Sequence, residues 1–149
     1  MKKNVVIILI ILLIIITICI SAIKLKTKTN KIILQQNKQY ELYLDNTIYG
    51  TDVITLINKA ISNNKLNNVS KDQKGFYINN NQNSIIIDLV MITGNTEKEK
   101  TTYKMETIEK VGITEFVKNF NSATFECTKK EYHSQTGKIA YIEITQKSE

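Results

Sequence analysis

The chain has 149 residues and a formal net charge of +6, and all 20 of its basic residues are lysine. Without arginine it lacks the forked guanidinium that reads bases and phosphates bidentately. Its lysines are interspersed with acids, as in Glu97-Lys98-Glu99-Lys100, the pattern of a solvated surface, so nucleic acid is not an expected partner.

Lys2 and Lys3 precede an unbroken apolar run at residues 5–23, which is 19 residues long. At about 1.5 Å per residue such a helix reaches about 29 Å, close to the hydrocarbon thickness of a bilayer. Only Thr17, Cys19 and Ser21 interrupt its aliphatic character. Residues 1–23 are therefore predicted to be a basic tail and a transmembrane anchor, with the lipid bilayer as partner. A cleaved secretory signal usually has an apolar part of only about 7–15 residues, so the length favours an uncleaved signal-anchor. Cleavage would use the small side chains of Cys19 and Ser21 before Ala22. Lipidation would use Cys19, but Ile18 stands where such signals carry a small residue.

Orientation pits two rules against each other. Lys24, Lys26, Lys28 and Lys31 outnumber Lys2, Lys3 and the α-amine, which counted literally puts the C-terminal side in the cytoplasm. A short basic tail, however, resists translocation, and long domains cross largely regardless of their own charge. The expected placement is a single-pass cell-membrane protein with an extracytoplasmic C-terminal domain. The four lysines after the span would equally suit lipid headgroups.

Residues 24–44 read as a juxtamembrane helix or linker: Ile33, Tyr40 and Leu44 recur at helical spacing, although Tyr40, Leu42 and Leu44 also alternate at period two, and a helix is the expectation. Residues 45–149 read as one α+β domain with one antiparallel sheet and two amphipathic helices. A turn is expected at 45–50. Thr51 then caps a helix whose apolar stripe is Val53, Leu56, Ile57, Ala60 and Ile61, with Asp52 complementing the dipole. Strands follow at 76–78 and 84–92 around an asparagine-rich connection, and Ile85-Ile86-Ile87 suggests a strand covered on both faces. A charged loop at 93–100 leads to a strand at 101–108 that pairs back on 84–92. Beyond Gly112, Thr114 caps a short helix with Ile113, Phe116, Val117 and Phe120 on one face. The last element is a hairpin, with strands 124–132 and 138–145 around residues 133–137. In its second strand Ile139, Tyr141 and Glu143 alternate with Ala140, Ile142 and Ile144.

Chemistry-bearing residues are few. His133, the single histidine, borders the hairpin turn beside Ser134, and adjacency along a turn does not make a triad. Cys19 falls in the apolar run, which leaves Cys127 alone in the domain, so neither an intradomain disulfide nor a Cys/His metal cluster is expected. Cys127 reads as a structural thiol in a strand. Nothing in the spacing brings Asp52 to Glu106 or Glu126 to Glu143, so these read as surface carboxylates. Gly50-Thr51-Asp52 and Gly94-Asn95-Thr96 lack the glycine spacing of phosphate loops. Asn68-Val69-Ser70 matches a glycosylation acceptor, in a chain whose asparagine- and isoleucine-rich composition looks bacterial. No catalytic, cofactor-binding or metal residues are predicted, and no cofactor.

The layout of basic tail, apolar helix running on into an α+β domain, and terminal antiparallel sheet resembles type IV pilin and pseudopilin-like proteins. The stretches Tyr40-Glu41-Leu42-Tyr43, Gly50-Thr51-Asp52-Val53 and Leu56-Ile57-Asn58-Lys59-Ala60 also resemble short patterns in uncharacterised single-pass membrane-anchored proteins of AT-rich Gram-positive bacteria. The chain departs from prepilins at two points: Asn4, not glycine, precedes the apolar run, and no glutamate occurs before Glu41. The resemblance implies a non-enzymatic protein with an interaction or structural role, partnered by copies of itself. The alternative expectation is an accessory subunit whose helix packs against a larger membrane protein.

Overall fold

The computed structural model describes residues 2–94 and 99–148. The chain divides into two units, residues 1–35 and 36–149. Helix α1, Lys2–Leu44, has no proline or glycine to interrupt it. Its apolar side chains at residues 5–23 are exposed, and the helix is long and apolar enough to cross a membrane. Its hydroxyls are satisfied within the helix. Thr17 donates to the Ile14 carbonyl at 2.7 Å and Ser21 to the Thr17 carbonyl at 2.8 Å.

The second unit continues with β1 (Ile48–Tyr49), α2 (Gly50–Leu66), β2 (Ile86–Ile92) and β3 (Lys100–Lys104). Then come α3 (Met105–Val111), α4 (Ile113–Phe120), β4 (Thr124–Tyr132) and β5 (Ile139–Gln146). The strands form one mixed sheet in the order β1-β4-β5-β2-β3. The β4–β5 hairpin is antiparallel, as the short turn between its strands predicts, and β3 pairs back on β2 antiparallel. The expectation of an all-antiparallel sheet fails at one junction: β2 and β5 run parallel, with Ile87 opposite Ile142 and Leu89 opposite Ile144. Residues far apart in sequence meet there, and strand patterning carries no direction.

The inner faces of β2 and β5 supply Ile87, Leu89, Ile142 and Ile144 to a core completed by Leu56, Ile57, Met105, Phe116 and Phe125. Tyr40 and Leu44, from the last turns of α1, join the same core. The α2 stripe is buried as its spacing predicts, but the helix starts at Gly50 with Tyr49 as cap, not at Thr51. Asp52 receives the Tyr49 backbone N–H at 3.0 Å. A side chain at Gly50 would collide with the Phe120 carbonyl, because the start of α2 lies against the end of α4.

Other expectations are corrected in detail. Part of the turn at 45–50 pairs with β4 as β1, Ile48 opposite Phe125. Residues 76–78 form no strand, only an isolated bridge between Lys71 and Tyr77. Strand β2 begins at Ile86, and Ile87 is buried whereas Ile86 is half-buried on the outer face. The predicted strand 101–108 ends as β3 at Lys104, and α3 takes over with Met105 and Ile108 buried one turn apart. Among the described residues the domain thus has three helices after α1, not two. Helix α4 is capped by Gly112 at φ 99°, a region that favours glycine, and not by Thr114. Of the loop expected at 93–100, residues 95–98 lie outside the described residues; Lys100 belongs to β3, and the Thr93 N–H donates to the Glu99 carbonyl at 2.8 Å.

Candidate functional site

Four charged residues cross the outer face of the sheet in register: Lys104 on β3, Asp88 on β2, Glu143 on β5 and Lys129 on β4. Alternation sets Asp88 between the core residues Ile87 and Leu89 and Glu143 between Ile142 and Ile144, while a register shift between Cys127 and Lys129 brings Lys129 opposite Glu143. Asp88 is only 6% exposed. It is held by Lys104, whose Nζ lies 2.9 and 2.7 Å from its two oxygens. Tyr141 completes the group, its Oη 3.2 Å from Asp88 Oδ2 and 3.4 Å from Glu143 Oε2. Thr128 donates to Glu143 Oε1 at 2.8 Å. Burial, then the Asp88 and Glu143 carboxylates beside it, raise the Tyr141 phenol above its ordinary value. With Lys104 and Tyr141 donating to Asp88, and Tyr141 and Thr128 donating to Glu143, the row ties four strands together.

His133 ends the β4 side of the hairpin, where a turn histidine is expected, but its ring is buried at 4% exposure. Its Nε2 donates to the Ser84 carbonyl at 2.7 Å, which fastens the hairpin to the chain entering β2. Ser134, its sequence neighbour, is exposed. Asn37 on α1 grips the same hairpin: its Nδ2 donates to the Gly137 carbonyl and its Oδ1 accepts the Ile139 N–H, both at 2.9 Å. Asn64 repeats this on Ile85. Sequence reading overlooks both asparagines, since a buried amide has no periodic signature.

Cys127 is half-buried in β4, and burial pushes its thiol above its ordinary value. The four carboxylates go separate ways. Asp52 caps α2, Glu126 approaches Lys147 at 3.5 Å, and Glu143 joins the outer row. Glu106 is no surface carboxylate: it is 2% exposed and accepts the Tyr77 N–H at 2.7 Å. Among the described residues no group of three or more histidine, cysteine or acidic side chains is placed to hold a metal.

Two open grooves flank the core. One, about 480 Å³, runs between the end of α1, α2 and the hairpin, lined by Gln36, Asn37, Tyr40, Asn58, Ser62 and Lys138 among others. The other, also about 480 Å³, lies between the β2–β3 edge and α3–α4, lined chiefly by Met91, Tyr103, Ile108, Phe116 and Phe120. The class defined so far is a mixed α+β domain following a long apolar helix. No protein-family model, no curated protein and no solved structure matches the chain.

Proposed function

We propose that the chain is a non-enzymatic, single-pass membrane-anchored protein whose domain at residues 36–149 serves an interaction or structural role outside the cytoplasm, as a pilin-like subunit that associates with its own copies. The apolar helix carries this reading. Of the 19 side chains at 5–23, 15 are isoleucine, leucine or valine, and they stand in the open, as with Ile8 at 64% and Leu13 at 65% exposure. An aqueous protein does not leave so much contiguous apolar surface uncovered. On insertion scales these 15 residues favour the bilayer by at most about 5 to 9 kcal/mol. The internal bonds of Thr17 and Ser21 leave no hydroxyl needing water.

The non-enzymatic part rests on how the reactive groups are spent. The His133 ring is committed to a backbone carbonyl, the Tyr141 phenol is held protonated, and burial suppresses the Cys127 thiolate. Each serves the fold.

Carbonate extraction tests the anchor. The full-length chain is expected to stay in the membrane, and Leu12→Lys with Ile15→Lys to release it, since each central charge costs about 2.5–3.5 kcal/mol. Recovery from the medium of a chain lacking its apolar run would refute it. For assembly, oxidative cross-linking through Cys19 in a Cys127→Ser background is expected to give covalent dimers in membranes. Co-purification with a larger membrane protein, without such dimers, would make the chain an accessory subunit instead.

A further inference from the structure

Immediately beyond the apolar run, Lys24, Lys26, Lys28 and Lys31 place four positive charges within eight residues of α1. Lys24, Lys28 and Lys31 follow one another at intervals of four and three, which puts them on one face of the helix; Lys26 stands on another. All four are exposed. The hydroxyls between them turn inward, Thr27 to the Ile23 carbonyl and Thr29 to the Leu25 carbonyl, both at 3.0 Å. No acidic residue occurs anywhere before Glu41. In the second unit lysines do meet carboxylates: Lys65 with Glu109, Lys104 with Asp88, Lys129 with Glu131, Lys147 with Glu126. Among the described residues none of the four collar lysines does.

We propose that these four lysines form a cationic collar for the phosphate groups of anionic phospholipids in the leaflet on the domain's side, a reading that rests on the membrane anchor proposed above. Their placement fits that layer. From Lys24 to Lys31 the helix rises about 10 Å, comparable to the headgroup region that begins where the hydrocarbon ends. Their long aliphatic stems reach along the helix while the ammonium groups stay in the polar layer. Counter-charge supplied by the lipid accounts for a basic stretch that the chain itself leaves without acids. The collar thereby sets the depth of the helix and recruits anionic lipid around it.

The test reconstitutes the full-length chain in phosphatidylcholine vesicles carrying trace spin-labelled phosphatidylglycerol or spin-labelled phosphatidylcholine, and compares the motionally restricted fractions. Phosphatidylglycerol is expected to be enriched about fivefold at the protein. That preference is expected to collapse towards parity in 1 M salt, where the screening length falls to about 3 Å. The variant Lys24→Gln, Lys26→Gln, Lys28→Gln, Lys31→Gln is expected to abolish it. A control of equal charge loss, Lys71→Gln, Lys74→Gln, Lys118→Gln, Lys147→Gln, all exposed in the domain, is expected to retain it. A carbonate-resistant chain without lipid preference, or with a preference lost equally in the control, would overturn the collar and leave the anchor standing. A chain that carbonate strips from the vesicles would overturn both.

Discussion

Asn64 reads both backbone groups of Ile85: its Nδ2 donates to the Ile85 carbonyl and its Oδ1 accepts the Ile85 N–H, each at 2.8 Å. The amide is fully buried and replaces the ladder bonds that Ile85 lacks just before β2. Asn64→Ala would leave a buried donor and a buried acceptor unpaired. The expected loss is about 2–4 kcal/mol, read from urea unfolding of the full-length chain in mild detergent. Asn64→Asp keeps the acceptor but sets a carboxylate oxygen against the Ile85 carbonyl, so it is expected to destabilise as well. Wild-type stability in both variants would show that the clamp is idle.

The apolar stripe of α2 gives a second measurement. Leu56→Ala and Ile57→Ala remove side chains with 0% and 1% exposure, and each is expected to cost about 2–5 kcal/mol. The control belongs at exposed Asn58, where Ala should stay within about 0.5 kcal/mol. Lys59 is unsuitable as a control, because its Nζ donates to the Gln39 carbonyl at 3.2 Å and lies 4.6 Å from the Tyr43 ring centre. Equal losses at Leu56 and Asn58 would contradict the packing.

Tyr141 predicts an alkaline limit. Its folded pKa is raised above the ordinary 10.0, first by burial and then by Asp88 and Glu143. The stability owed to the neutral phenol is fully present below about pH 10 and is lost as pH rises through the folded value. Stability curves against pH for wild type and Tyr141→Phe should therefore converge above pH 10, with the variant falling less steeply. Parallel curves would show that the phenol is not coupled to folding.

Orientation is read with a thiol probe. A cysteine at Gln135, exposed in the hairpin turn, in a Cys19→Ala, Cys127→Ser background is expected to react with a membrane-impermeant maleimide equally before and after lysis. Labelling only after lysis would place the domain in the cytoplasm and remove the pilin-like reading.

Local patterns made much of the chain legible. The apolar run is legible from its unbroken length, and the α2 stripe and the β5 alternation follow from side-chain periodicity, which the sequence displays directly. At α3 the sequence was misleading. Thr101, Thr102 and Tyr103 favour a strand, and the helical spacing of Met105 and Ile108 was too short to compete with them. Burial of Met105 and the bond from the Tyr77 N–H to Glu106 mark where the strand gives way to helix, and both depend on parts of the chain distant in sequence.

By itself the sequence determined which segments are apolar, with what period, and that one of them is long enough to cross a bilayer. Only the tertiary structure decided that β2 lies parallel to β5, that Lys104, Asp88, Glu143 and Lys129 share one row, and that His133, Asn37 and Asn64 spend their polar groups on backbone. The physical reason is range. Periodicity arises from geometry repeated every few residues along one element, whereas pairing direction and buried amide contacts join residues tens to a hundred positions apart, whose meeting no local pattern encodes.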